Sequence, residues 1–169
     1  RAARSTKGGM LAVKNTDGED IQELLETGQV EGHLSVGAYN APQETVLSGA
    51  LPALQAITPL CESRRLPVEG AWHSPLMECA KVEFEAALQA LKCEQLTYPV
   101  VSGCDGAVVT DSSEIKPRLL AQLTEPLRWT AVLSTLTSLG VERFMVAGSG
   151  RLLRALVRRN LIRAEVRML

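Results

Sequence analysis

The sequence predicts an α/β protein in two parts. A ferredoxin-like βαββαβ subdomain spans residues 9–69, and part of a parallel α/β layer spans residues 70–169, with a short tail at 1–8. Three observations support this. The order of apolar runs and turn signals through residue 69 is strand, helix, strand, strand, helix, strand, the split βαβ arrangement. Beyond residue 70, short apolar runs alternate with helical stripes, as parallel layers require. The chain has 169 residues, 46% of them hydrophobic and 22% charged, enough for one globular unit or two small subdomains.

Residues 9–14 (Gly-Met-Leu-Ala-Val-Lys) form an apolar run read as the first strand. Thr16-Asp17-Gly18-Glu19 offers a capping box, in which a hydroxyl or carboxylate satisfies orphan N–H groups while Glu19 reaches back. Ile21, Leu24 and Leu25 then repeat at i, i+3, i+4 and stop at Gly28, a short helix. Strands are expected near 30–39 and 45–48, joined through Asn40-Ala41-Pro42. A helix carrying Leu51, Leu54 and Ile57 runs to the Thr58-Pro59 breaker, and residues 66–69 close the block as a strand.

In the second part, Met77, Ala80, Phe84, Ala87, Leu88 and Leu91 make one long amphipathic stripe, with Lys81 and Glu85 expected to pair on its wet side. Short strands are expected at 98–102 and 107–110. Asp111 or Ser112 caps a helix bearing Ile115, Leu119 and Leu123, with Pro117 in its first turn. Trp129, Val132, Leu133, Leu136 and Leu139 define the next helix, which Gly140 ends. Residues 141–147 read as a buried strand, Gly148-Ser149-Gly150 as a turn, 152–157 as an apolar helical face and 164–169 as a last strand.

Composition excludes several classes. No apolar run approaches the roughly 18 residues a bilayer span needs, and the basic start Arg1-Ala2-Ala3-Arg4-Ser5-Thr6-Lys7 lacks the apolar core of a secretory signal. The four cysteines show no C-x-x-C pairing and no metal-ligand spacing with the two histidines, so reduced thiols in a cytoplasmic protein, or one of an organellar matrix, are expected. Aromatic residues make up only 4%, which argues against nucleic-acid binding. The net charge of −1 hides an asymmetry: eight basic and sixteen acidic residues precede Lys116, and ten basic against three acidic follow from it.

The most specific stretch is Gly70-Ala71-Trp72-His73, followed by Ser74-Pro75-Leu76-Met77. Together with Gly9-Met10-Leu11-Ala12-Val13, Tyr39-Asn40-Ala41-Pro42, Pro99-Val100-Val101-Ser102, Leu120-Ala121-Gln122-Leu123-Thr124 and Gly148-Ser149-Gly150-Arg151-Leu152-Leu153, it resembles, in order, the malonyl-CoA:acyl carrier protein transacylases. These acyltransferases serve fatty-acid and polyketide biosynthesis. The resemblance covers nearly the whole chain and corresponds to the family's C-terminal portion: the small ferredoxin-like subdomain and the end of the larger, hydrolase-like acyltransferase subdomain.

That resemblance implies acyl transfer from malonyl-CoA to the phosphopantetheine of acyl carrier protein through a Ser-His pair, with no bound cofactor. His73 matches the base, and Gln122 matches the residue whose backbone carbonyl orients it. Asn40 matches a pocket residue, and Trp72 and Ser74 flank the histidine as substrate-binding candidates. Trp72 stands where the family usually has Phe. The family's serine, set in a Gly-x-Ser-x-Gly turn, and its carboxylate-binding arginine would lie upstream of residue 1. The chain is therefore expected to be inactive without an N-terminal acyltransferase half as partner. Glu44 is a further departure, since a carboxylate there would repel an anionic malonyl group.

Two motifs carry alternative readings. Arg151, Arg154 and Arg158 form a basic row suited to an acidic carrier protein, which supports a non-catalytic, carrier-docking remnant as the alternative function. Gly32-His33-Leu34-Ser35-Val36-Gly37 imitates a nucleophile motif with one residue inserted. It supports a third reading, thioester hydrolysis through Ser35, only if a strand-turn-helix elbow forms there.

Overall fold

The computed structural model describes residues 7–15, 32–148 and 151–169. The expected capping box and helix at 16–28, and most of the Gly148-Ser149-Gly150 turn, lie outside the described residues.

The first part is a four-stranded antiparallel sheet of β1 (Gly8–Lys14), β2 (Leu34–Ala41), β3 (Glu44–Ala50) and β4 (Ser63–Arg65), in the order β2-β3-β1-β4. The central β1 is buried along its first six residues. Successive side chains on a strand point to opposite faces, and both faces are covered here. Leu11 and Val13 pack with Val36, Leu47 and the helix residues Leu54 and Ile57. Met10 and Ala12 pack on the other side with Ala38, Val46, Leu66 and Leu127. This two-sided burial is why the β1 sequence is a continuous apolar run. Helix α1 (Leu51–Ile57) follows β3 directly, with Pro52 in its first turn, where a missing N–H costs nothing.

The fourth strand falls at Ser63–Arg65, not at the expected 66–69. Leu66 N–H still donates to Met10 O (3.0 Å), but Pro67 has no N–H and ends the ladder. The edge strand is thus short and polar, which suits an edge.

Gly70 (φ 87°) then turns the chain so that Ala71 packs against Gly8, where any Cβ would sit 2.7 Å from that of Ala71. The expected long helix is split into a 3-10 segment, Pro75–Ala80, and α2 (Lys81–Ala90). Met77 and Leu88 are buried, whereas Leu91 is exposed. Lys81 pairs with Glu78 (2.9 Å) across the 3-10 turn, not with Glu85.

The hairpin of β5 (Val100–Val101) and β6 (Val108–Val109) is shorter than expected, leaving Tyr98 exposed. The Asp111 carboxylate accepts from Ser113 N–H (2.8 Å) and opens a 3-10 turn that runs into α3 (Ile115–Ala121). Helix α4 (Trp129–Ser138) ends at Gly140 (φ 80°). Then β7 (Arg143–Val146), α5 (Arg151–Asn160) and β8 (Glu165–Met168) form a β-α-β unit with β7 and β8 parallel. Leu133, Val146, Val157 and Val166 make its core. On α5, Leu156 and Val157 are buried but Leu152 and Leu153 are exposed, so the expected apolar face is only half covered.

Candidate active site

His73 follows the Gly70 turn in the left-handed region (φ 61°), a conformation that non-glycine residues rarely adopt. The backbone and ring meet the C-terminal end of α3. His73 N–H donates to Leu123 O (3.1 Å), and Nδ1 lies 2.7 Å from Gln122 O. Helix ends leave carbonyls without intrahelical partners, and His73 satisfies two of them. A carbonyl can only accept, so Nδ1 carries the proton and the neutral ring presents Nε2 as a lone pair. The carbonyl end of a helix also favours a positive charge beside it, so the same contact steadies an imidazolium. The arrangement is that of a general base with a fixed tautomer.

The flanking residues hold this turn. Ser74 is fully buried, and its hydroxyl donates to Ala71 O (2.7 Å) while its carbonyl accepts from Met77 N–H (2.9 Å). Trp72 is 37% exposed, with Nε1 donating to Glu69 O (2.7 Å). Helix α3 is braced at its start, where Arg118 spans Asp105 and Glu114. Burial would raise the Asp105 pKa, but the Ala107 N–H and the Arg118 guanidinium outweigh it and hold the carboxyl below its usual range. The Gln122 side chain faces a largely apolar cavity of about 520 Å³ that Ser102, Cys104 and Leu119 also line. Burial, then the charge of Asp105, pushes the Cys104 thiol up, which disfavours the reactive thiolate.

A strap that the sequence did not reveal connects this site to the first sheet. Leu127 N–H donates to Gly37 O (2.9 Å) and Tyr39 N–H to Leu127 O (2.8 Å), a parallel bridge on β2. Arg128 N–H donates to Gly103 O (2.7 Å), and its guanidinium lies 5.3 Å from the Tyr39 ring centroid. The Trp72 carbonyl approaches Gly37 so closely that a Cβ there would lie 3.3 Å from its oxygen. Gln122, His73, Trp72 and the middle of β2 are thereby joined. The alternation of apolar residues gave no signal for this, because the contacts are backbone to backbone.

Asn40 is the next-to-last residue of β2, and its carbonyl accepts from Asn160 Nδ2 (2.8 Å). Glu44, the residue expected to repel an anion, is ion-paired with Arg159. Of the basic row, Arg151 and Arg158 are exposed, whereas Arg154 is half-buried with an Nε that has no hydrogen-bond partner among the described residues. Ser35 lies within β2 opposite Ser48, to whose carbonyl it donates (3.4 Å). The strand runs on to Ala41, so the elbow that a nucleophile at Ser35 requires is not formed. Among the described residues, no group of three or more His, Cys, Asp or Glu could hold a metal ion, and no helix is long and apolar enough to cross a membrane.

No family model matches the chain. The malonyl CoA-acyl carrier protein transacylase of Bacillus subtilis (strain 168) is 28% identical over 165 residues, which are 94% of this chain and 52% of that protein. The chain thus spans about half the length of the curated relatives it matches. The crystal structure of the malonyl-CoA:acyl carrier protein transacylase from Xanthomonas oryzae pv. oryzae superposes with a TM-score of 0.92 at 26% identity, over 99% of this chain and 55% of that one. A malonyl-transacylase solved in complex with a type II polyketide-synthase acyl-carrier protein shares the fold, with a TM-score of 0.91 at 22% identity over 99% of this chain and 58% of that one.

Proposed function

Because the chain is a homologue of the malonyl CoA-acyl carrier protein transacylases and matches their C-terminal part, we propose that it supplies the base of a malonyl transfer from CoA to the phosphopantetheine thiol of an acyl carrier protein. The contact between His73 Nδ1 and Gln122 O (2.7 Å) carries this reading. The serine and the carboxylate-binding arginine belong, on this reading, to an N-terminal half of the acyltransferase. The four-stranded sheet is the ferredoxin-like small subdomain, 9–69, and residues 70–169 complete the large one.

His73 Nε2 takes the serine proton as the hydroxyl attacks the malonyl thioester carbonyl. The C–S bond breaks, the CoA thiolate takes the proton back from the imidazolium, and the malonyl group stays on the serine as an ester. The carrier thiol enters, gives its proton to Nε2 and attacks the ester carbonyl, and the serine leaves with that proton. Through both halves Gln122 O holds Nδ1–H, so the ring cycles between a fixed tautomer and a stabilised cation. Asn40 and Trp72 border the acyl pocket, while Ser74 acts through the turn that it fastens.

The chain alone should form no malonyl adduct. Intact-protein mass spectrometry after incubation with malonyl-CoA, with and without an N-terminal half, tests this. The expected result is an adduct on the partner's serine that disappears in His73→Ala. An adduct on this chain alone, or one on the partner that survives His73→Ala, would overturn the proposal.

A second reading, a docking remnant without catalysis, rests on the basic face of α5 at Arg151, Arg154 and Arg158 and on the carrier-protein complex of the structural relative. Salt-sensitive carrier binding with no acyl transfer from any pairing would favour it.

A further inference from the structure

Helix α3 ends in the carbonyls that hold His73, yet none of its seven residues is buried. A helix of under two turns is marginal by itself, and no fully buried side chain fixes this one in place. Polar contacts do so instead, and they converge on Arg118. Its guanidinium reaches Glu114 (2.9 Å), one turn back, and Asp105 in the β5–β6 loop. Its carbonyl accepts from Gln122 N–H (3.0 Å), and the Cys104 thiol donates to the same oxygen (3.4 Å). Lys116 Nζ adds a contact to Gln89 O (3.4 Å) on α2.

The loop that supplies Asp105 is itself closely tied. Ser102 N–H donates to Ala107 O (2.9 Å), Gly106 N–H to Ser102 O (2.9 Å), and Ala107 N–H to the Asp105 carboxylate (3.1 Å). On its other side, Gly103 O takes the Arg128 N–H of the strap. The loop also lies directly on Gln122, since a Cβ at Gly103 would sit 3.0 Å from Gln122 Nε2. Asp105 is thus a fixed point from which Arg118 holds α3 and its last carbonyls.

We propose that Arg118 and Asp105 are positioning residues for His73 that act through the Gln122 carbonyl. Their ion pair sets α3 against the loop and keeps Gln122 O within reach of Nδ1. The proton stays on Nδ1, and Nε2 is left as the acceptor. The inference rests on the reading of His73 as the base, and it adds what keeps that base in the useful tautomer.

The tautomer is read from the nitrogen NMR shifts of the imidazole rings in the 169-residue chain, at alkaline pH with the rings neutral. His73→Ala assigns the signals of the two histidines. Wild type should show chiefly the Nδ1–H form of His73. Arg118→Gln and Asp105→Asn should each lower the ratio of Nδ1–H to Nε2–H by about two- to fivefold, the scale of a half-exposed ion pair. The double variant should go no lower than Arg118→Gln, because both changes cut one link. Glu114→Gln breaks only the contact within the helical segment and should leave the ratio near that of wild type. Asp105→Asn alters an exposed side chain and keeps the acceptor for Ala107, so it carries the test if Arg118→Gln does not fold. An unchanged ratio in folded variants of lowered Tm would mark the pair as merely structural and overturn the inference. So would a fall in Glu114→Gln as large as in Asp105→Asn, because helix stability alone would then set the tautomer. With an N-terminal half present, kcat should fall by the same factor while KM for malonyl-CoA holds. A raised KM at unchanged kcat would also overturn the inference. The expected tautomer ratios in a wild type that transfers no malonyl group would overturn the proposed function and leave this positioning role standing.

Discussion

His73 holds its left-handed backbone because two bonds to the end of α3 over-determine it: one from its N–H and one from its ring. The strain predicts an order among substitutions. An L side chain in this region costs about 1–2 kcal/mol and glycine does not. His73→Gly should therefore be more stable than His73→Ala by about 1 kcal/mol in denaturant titrations, although both remove the imidazole. Gly106 (φ 72°) faces the opposite demand, because a Cβ there would lie 2.9 Å from the backbone carbon of Ala131. Gly106→Ala should cost about 1–3 kcal/mol from backbone strain, with a further loss from the clash, read as a lower midpoint with unchanged slope. The histidine motif was legible from its residue types. Its conformation was not, because φ at position 73 is set by carbonyls 49 and 50 residues away.

Helix α3 shows what elements contribute. The 3-10 turn that leads into it is capped by Asp111, whose pKa the Ser113 N–H lowers, and the end of α3 holds the histidine. A carboxylate whose folded pKa lies below its unfolded value of about 3.9 contributes stability that is present above that pH and lost as pH falls through the folded value. Asp111→Ala should lower Tm at neutral pH, and the difference should shrink toward about pH 2–3. A constant difference across that window would show that the carboxylate charge is not what caps the helix. The terminus was readable from the Asp-Ser signal, and so was the helix that follows. On α5 the reading failed by half, because Leu152 and Leu156 look alike in sequence while only Leu156 is buried. Leu156→Ala should cost about 2–5 kcal/mol and Leu152→Ala less than about 0.5 kcal/mol in the isolated chain. The expected Lys81–Glu85 pair failed for a similar reason. Pro75 opens a 3-10 segment that brings Glu78 to Lys81 first.

At the scale of the molecule, the parallel pair β7–β8 is the most exposed layer. Parallel sheets are ordinarily covered on both faces, yet Met145 is 65% exposed and α5 leaves Leu152 and Leu153 bare. These residues give the chain apolar surface of the kind that marks an interaction site. The relatives it matches are about twice as long, which supplies a candidate to cover it. A hydrophobic dye should bind the isolated chain and be released on pairing with an N-terminal half, and fluorescence titration checks this. The basic face of α5 makes a separate prediction. On the docking reading proposed above, binding to a carrier protein should weaken with salt and with charge reversal at Arg151 and Arg158, whereas binding insensitive to both would overturn that reading. The sequence by itself determined the order of strands and helices among the described residues, and the histidine and glutamine motifs that carry the resemblance, because these reside in residue types and short spacings. Tertiary structure alone decided that His73 takes a left-handed backbone, that Leu127 and Arg128 strap the site to β2 and to Gly103, and that Arg159 pairs with Glu44. Backbone hydrogen bonds and ion pairs between residues far apart in the chain leave no periodic trace in it.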